Sequence, residues 1–171
     1  MQNTSHPSFQ EYFLKPGYIY ISRIPALIST VLGSCVAVSI WDRKREYGGM
    51  SHFLYPLVQN PAQATAQYGN VAVKALLRLL LEEGSQKGDL EAQIFGGAHL
   101  PEGLKEAVEV SRLNISIGRE VLTRNEVAIV SEDVGGTKGR KLIYNTLNNE
   151  VVIFRVDKLR KSDWYPYADP R

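Results

Sequence analysis

The 171 residues specify a mixed α/β domain in which strands outnumber helices, and three observations predict it. Short β-branched and aromatic runs, such as Tyr18-Ile19-Tyr20-Ile21, recur between turn signals. One long segment, from Tyr68 to Glu83, carries its apolar residues at helical spacing. Hydrophobic residues make up 44% of the chain, which at this length supports one substantial core. The expectation is a layered arrangement around a mainly antiparallel or mixed sheet.

Each element has its own signal. Residues 1–11 are polar and contain Pro7, which reads as a mobile tail. Lys15-Pro16-Gly17 is a turn, and Tyr18 to Ile21 is a strand that Ile24-Pro25-Ala26 interrupts. Thr30 to Leu32 resumes the extended pattern. Val36, Val38 and Ile40 alternate with Ala37, Ser39 and Trp41, and Met50 to Tyr55 follows a charged loop and Gly48-Gly49. Two strands so joined form an antiparallel hairpin. Asn60-Pro61 offers a helix start. Val71, Ala72, Ala75, Leu76, Leu79 and Leu80 then line one face of a helix that Gly84 stops, and that face packs on a sheet. Leu90 to Phe95 is a strand ending in Gly96-Gly97-Ala98. Pro101 to Val110 and Ile115 to Arg124 read as two short helices, and Val127 to Val130 as a strand. Asp133 to Arg140 is a glycine-rich loop without the Gly-Lys-Ser/Thr spacing of a phosphate-binding loop. Lys141–Asn145 and Val151–Val156 close the domain as a hairpin across Leu147-Asn148-Asn149, where asparagine tolerates a positive φ. Residues 12–157 thus form one domain, and 158–171 a C-terminal tail.

Composition excludes several classes of function. The formal charge is +2, with acidic and basic residues interspersed, so there is no nucleic-acid footprint. The cluster Lys158, Arg160 and Lys161 is broken by Asp157 and Asp163 and reads as a solvated face. The first residues lack the basic and apolar regions of a secretion signal, and no apolar run approaches a membrane span. A single cysteine gives no disulfide framework and fits a reducing, cytoplasmic setting. One cysteine and three histidines give no zinc-ligand spacing, so neither metal nor other cofactor is implied. His6 falls in the tail. His99 either lines a cleft or lies on the surface, and Lys138 and Arg140 either hold an acidic partner surface or are ordinary loop charges.

The chemistry concentrates on Cys35 and His52. Cys35 follows Gly33-Ser34 at the start of an apolar strand, and His52 comes 17 positions later. A thiol needs a nearby base to act as a nucleophile at neutral pH, and an imidazole supplies one. A buried cysteine serving only as a small apolar side chain is the competing reading. If the hairpin loop is Asp42 to Arg45, Trp41 opposes Glu46 and Cys35 lies directly opposite His52, with Cβ atoms roughly 5 Å apart. A slip of one residue would put them on opposite faces.

Three motifs then occur in order: Thr30-Val31-Leu32-Gly33-Ser34-Cys35-Val36-Ala37-Val38 with Gly48-Gly49-Met50-Ser51-His52, Phe95-Gly96-Gly97-Ala98, and Glu132-Asp133-Val134-Gly135-Gly136 with Gly139-Arg140. With Tyr12-Phe13-Leu14-Lys15-Pro16-Gly17 upstream, the chain resembles the CheD family of chemoreceptor glutamine deamidases, from about Tyr12 to about Val156. The resemblance implies a three-layer α/β sandwich similar to the catalytic domain of the cytotoxic necrotizing factor toxins. It implies hydrolysis of glutamine side chains on methyl-accepting chemotaxis proteins, with receptor methylesterase activity in some members and a CheC-type phosphatase as partner in some organisms. The family's cysteine and histidine fall on Cys35 and His52. Its third residue, a threonine, falls on Thr30, or on Ser29 in the spacing of other members. Backbone N–H groups around Gly33, Ser34 and Cys35 are the natural oxyanion donors. A binding adaptor with little turnover and a different Cys-His amidase or protease are the alternative functions. One departure stands out. Ile117-Gly118-Arg119-Glu120-Val121 has Val where the family's Ile-Gly-x-x-Asn motif has Asn, and the segment from there to Glu132 is about two helical turns short of the family pattern.

Overall fold

The structure, a computed structural model, describes residues 8–164. His6, most of the N-terminal tail and Tyr165 onward lie outside the described residues. The elements in order are β1 (Gln10–Phe13), β2 (Tyr18–Ser22), β3 (Ala26–Leu32), β4 (Val36–Asp42), β5 (Tyr47–Phe53), α1 (Gly69–Glu82), β6 (Leu90–Gly96), α2 (Lys105–Arg124), β7 (Ala128–Val134), β8 (Gly139–Asn145), β9 (Val151–Val156) and α3 (Lys161–Trp164). The α+β class is the one the sequence predicts.

The strands form two sheets rather than one. The first is five-stranded, in the order β2-β5-β4-β6-β7, and the second four-stranded, in the order β1-β3-β8-β9. Both are mixed, since β6 and β7 run parallel, as do β1 and β3. β2 and β3 are consecutive yet belong to different sheets, because Ile24-Pro25 breaks the strand and the chain crosses over there. The pairing of β3 with β8 joins residues more than a hundred positions apart. Helices α1 and α2 cover one face of the five-stranded sheet, and the four-stranded sheet covers the other.

The central strands of the five-stranded sheet, β4, β5 and β6, are therefore buried on both faces. Val36, Val38 and Ile40 of β4 face the helices and pack with Val73, Leu76 and Leu80 of α1 and with Leu122 of α2. Ala37 of β4, Met50 of β5 and Phe95 of β6 face the second sheet and pack with Ile28, Leu32, Leu142 and Tyr144. Each large apolar side chain so buried contributes roughly 1.5–3 kcal/mol.

Four local expectations are corrected. Gln10 and Glu11 belong to β1 rather than to the tail, because they pair with Ala26 and Leu27. Asn60-Pro61 starts only a single 3-10 turn, and α1 begins at Gly69; Gly84, at φ +98°, ends it as the sequence predicts. The two short helices after Pro101 are one helix, α2, of 20 residues. Its buried stripe of Ser111, Asn114, Gly118, Val121 and Leu122 keeps helical spacing, but three of these residues are small or polar, which hides the apolar period. The β4–β5 turn spans residues 43–46, with Asp42 opposite Tyr47, because Glu46 takes a positive φ (54°) and Asp42 caps the turn by accepting from the N–H groups of Lys44 and Arg45.

Candidate active site

That turn shifts the hairpin register by two residues from the expected one. Trp41 opposes Gly48, and His52 lies opposite Ala37 rather than Cys35. A two-residue shift preserves the face. Cys35 therefore lies on the same side of the sheet as Ala37 and His52, diagonal to the histidine instead of facing it. Diagonal neighbours on one face sit roughly 7–8 Å apart at the backbone, within reach of long side chains. Cys35 is the residue just before β4, 8% exposed, and packs into the layer between the sheets with Leu14, Leu32, Ala37 and Phe95.

His52 is fully buried in the same layer. Its Nδ1 lies 2.9 Å from Thr30 Oγ1, and the Thr30 hydroxyl donates to the Leu14 carbonyl at 2.7 Å. A threonine hydroxyl has one proton. With that proton on the Leu14 carbonyl, Thr30 accepts from His52, so Nδ1 carries the imidazole proton. Nε2 is then the basic nitrogen, and it has no partner among the described residues. Strand alternation separates the two candidates for the third residue. Ile28, Thr30 and Leu32 are buried towards the interlayer, and Ser29 points to the other face of β3, contributing only its carbonyl to the Leu14 N–H.

The Tyr12–Gly17 stretch encloses this pair from the far side. Leu14 supplies the carbonyl that Thr30 binds, and the Gly17 N–H donates to the His52 carbonyl at 2.8 Å. Gly17, at φ +84°, turns the chain there.

The glycine motifs meet at the cysteine. The Gly97 N–H donates to the Cys35 carbonyl at 2.8 Å, and the Ala98 N–H to the Gly33 carbonyl at 2.9 Å. The Gly135 N–H donates to the Gly96 carbonyl, and the His99 N–H to the Gly136 carbonyl. Gly96 has φ +103°, and a Cβ there would stand 2.3 Å from the Cys35 carbonyl oxygen, so only glycine lets the backbones approach this closely. The second glycine loop is anchored by Asp133, which accepts from Arg140 and Arg155 and ties β7 of one sheet to β8 and β9 of the other. Arg140 is 3% exposed and so is a structural cation rather than a surface hook. Lys138 pairs with Asp157 on the surface.

Sequence reasoning passed over Asn114, although its buried amide sits beside the cysteine turn. Nδ2 donates to the Ser34 carbonyl at 3.1 Å and to the Leu54 carbonyl at 2.8 Å. The available signal was an asparagine inside a helical segment, where it is disfavoured unless it has a partner. The pattern Val110-Ser111-Arg112-Leu113-Asn114 has the apolar-small-x-x-Asn form of the family motif. It lies seven residues before Ile117-Gly118, which is about two helical turns, and that is the length missing from the assignment of the motif to Ile117-Gly118.

Burial sets the electrostatics. It pushes the Cys35 thiol up from 9.0 to about 11, opposed by its own backbone N–H and by the Ser34 hydroxyl. It pushes His52 down from 6.5 to about 4, opposed by the Leu14 carbonyl. At neutral pH the resting pair is a neutral thiol and a neutral imidazole. A cleft of about 510 Å³ opens beside the turn. Gly33, Ser34, His99, Leu100, Leu104 and Leu159 line much of it, and its walls are mainly apolar. His99 is half-buried there. Among the described residues no group of three His, Cys, Asp or Glu side chains is placed to hold a metal, and no helix is long and apolar enough to cross a membrane.

Known proteins match this chain closely. The family model described as CheD chemotactic sensory transduction matches residues 56–155, a span that begins after His52 and so does not depend on the cysteine motif. A probable chemoreceptor glutamine deamidase CheD of Trichlorobacter lovleyi is 40% identical over 146 residues, covering 85% of this chain and 91% of its own. The protein of the same name from Sulfurimonas denitrificans is 34% identical, covering 88% of this chain and 97% of its own. A probable chemoreceptor glutamine deamidase CheD 2 of Geobacter sulfurreducens is 30% identical, covering 90% and 94%. By its family-model match and by its likeness to these relatives over nearly their whole length, the chain belongs to the CheD family.

Proposed function

We propose that this protein hydrolyses glutamine side-chain amides on chemoreceptors, releasing ammonia and leaving glutamate, with Cys35 as nucleophile and His52 as base. One observation carries the assignment of roles. Thr30 holds Nδ1 of a buried imidazole and leaves Nε2 without a partner among the described residues, on the sheet face that also carries the chain's single cysteine.

The steps follow from that arrangement. His52 Nε2 takes the thiol proton as Sγ attacks the amide carbon. Because both groups are neutral at rest, proton transfer accompanies attack rather than preceding it. The C–S bond forms and the carbonyl π pair moves to oxygen, where N–H groups of the Ser34-Cys35 turn receive the negative charge. The tetrahedral intermediate collapses, and His52 returns its proton to the departing nitrogen, which leaves as ammonia. Water, deprotonated by His52, then attacks the thioester; the C–S bond breaks and the proton goes back to sulfur. Thr30 keeps the imidazole in one tautomer and one orientation throughout, the third role of a nucleophile–base–orienter set. Ser34, whose hydroxyl lies against the thiol, lowers the cost of the thiolate.

The relatives' names supply the substrate class, chemoreceptors, and the cleft beside Ser34 is where a receptor segment would present its glutamine. The receptors' cytoplasmic signalling domains and a cytoplasmic setting fit a protein whose one cysteine is kept as a free thiol. A CheC-type phosphatase is the further partner that the family suggests.

Mass spectrometry of a receptor signalling domain after incubation tests the reading. Each hydrolysed glutamine gains about one dalton, the difference between amide and acid produced by this chemistry. The gain should appear at defined glutamines and vanish with Cys35→Ala. Peptide cleavage, or unchanged glutamines with the intact protein, would refute it.

A further inference from the structure

The hydrogen bonds of the cysteine turn run through its carbonyls. Three consecutive ones, on Gly33, Ser34 and Cys35, are each held: by the Ala98 N–H, by Asn114 Nδ2 and by the Gly97 N–H. Two of the three holders are backbone groups of the Gly96-Gly97-Ala98 segment. The third is a side chain on a helix, and it does more than hold one carbonyl.

Asn114 is the tenth residue of α2 and fully buried. Asparagine inside a helix is less favourable than alanine by about half a kcal/mol or more, and a buried amide costs more still unless it is bonded. Asn114 meets only half of its needs. Both Nδ2 protons go to carbonyls, and Oδ1 has no partner among the described residues. Two carbonyl acceptors on one side settle which way the amide faces, because an oxygen turned towards them would repel. A residue selected for packing alone would carry no orphaned oxygen in a core.

The two carbonyls lie at the open end of the β4–β5 hairpin. The ladder ends at Val36 opposite Phe53, and the next pair in this register would be Cys35 and Leu54. That pair does not form a ladder step. The Leu54 N–H donates to Gln67, and the Cys35 carbonyl accepts from Gly97. Asn114 spans the opening, with one proton on the residue before the nucleophile and the other on the residue two places after the base.

A peptide unit is planar and trans, so the Ser34 carbonyl and the Cys35 N–H point in opposite directions from one rigid plate. Fixing the carbonyl fixes the direction of the N–H. We infer that Asn114 is a positioning residue that locks the Ser34–Cys35 peptide and so aims the Cys35 N–H at the developing oxyanion, while pinning the cysteine strand to the histidine strand. This rests on the proposed thioester chemistry, in which that N–H is a donor. The bridge itself can be tested without it.

Asn114→Leu keeps the side-chain size and removes the orphaned oxygen, so the variant should fold. Leu122→Ala, on the same helix and away from the turn, serves as the control for simple destabilisation. Two measurements separate the claims. The first is hydrogen exchange. The Gly97 and Ala98 amides, bonded to the turn, should exchange about tenfold faster or more in Asn114→Leu, while those of Val38 and Ile40 hold, because the loss opens the turn locally. Unchanged exchange at Gly97 and Ala98 would overturn the bridge, whatever the activity. The second is steady-state deamidation per folded molecule. Asn114→Leu should lower kcat by about ten- to a hundredfold, the scale of a misaimed oxyanion donor, with KM within about twofold. Leu122→Ala should lower stability and leave kcat per folded molecule near that of the unaltered protein. An unchanged kcat in Asn114→Leu, or a loss of the same size in Leu122→Ala, would overturn the aiming role. If the unaltered protein shows no deamidation, the functional reading falls, and the exchange experiment alone decides the bridge.

Discussion

The two faces of β4 and β5 are both buried and are built on different principles. Towards the helices, Val36, Val38, Ile40 and Phe53 meet Leu76, Leu80 and Leu122 in a core of apolar atoms. Towards the second sheet, Cys35, Ala37, Ser39, Met50 and His52 meet Thr30, Leu142 and Tyr144. There Ser39 Oγ, His52 Nε2 and the Tyr144 hydroxyl are buried without partners among the described residues. Burying a polar group unpaired costs about 1–3 kcal/mol, so the second face gives up stability that the first face supplies. One strand pair thus carries an apolar core on one side and, on the other, a layer of unpartnered buried polar groups that holds the proposed reactive pair.

Four outcomes test that division. Cys35→Ala should remove deamidation by about three orders of magnitude or more, as loss of a nucleophile does, while thermal stability changes little. Enzyme assay and calorimetry on one preparation show both; a large drop in stability would place Cys35 in the supporting core. Leu76→Ala should do the reverse, lowering unfolding free energy by about 2–5 kcal/mol in urea titration and leaving kcat per folded molecule intact. A selective loss of kcat would show that the helix face also shapes the site.

Thr30→Val should cut kcat by about ten- to a hundredfold, since the imidazole loses the group that sets its tautomer, while Ser29→Ala stays within about twofold. Equal effects would argue against the alternation that separates the two residues. The remaining effect is in pH. His52 is depressed from 6.5 to about 4 in the folded state. Below 6.5 the unfolded chain takes up a proton that the folded one refuses, so stability from this group is complete above 6.5 and is lost as pH falls towards 4. That slope amounts to about 3 kcal/mol and should disappear in His52→Gln. Cys35 is raised from 9.0 to about 11, so its contribution is complete below 9.0 and is lost as pH rises towards 11. Denaturant midpoints across pH follow both limbs, and a flat profile would mean that water reaches the interlayer.

The cysteine and histidine were legible in the chain because hairpin alternation is local. The parity of the pairing depends on the strands alone, and a two-residue error in the turn leaves both side chains on one face. The error itself came from Glu46, whose left-handed conformation no residue type announces. Asn114 was not legible. It lies 80 positions from Ser34, and its neighbours on the buried stripe are too small and polar to show a helix period.

The sequence by itself determined the class of fold, the strands and their alternation, the long helix and its stop, and the sheet face shared by Cys35 and His52, the proposed reactive pair. All of these follow from periodicity or from residue chemistry within a few positions. Tertiary structure alone decided the division into two sheets, the contact of Thr30 rather than Ser29 with His52, the tautomer of His52, the closure of the Gly96-Gly97-Ala98 segment on the cysteine turn, and the bridge from Asn114. Each of these depends on which distant carbonyl a polar group meets once apolar burial has brought the layers together. That burial is non-directional, and only the assembled packing says where its polar passengers come to rest.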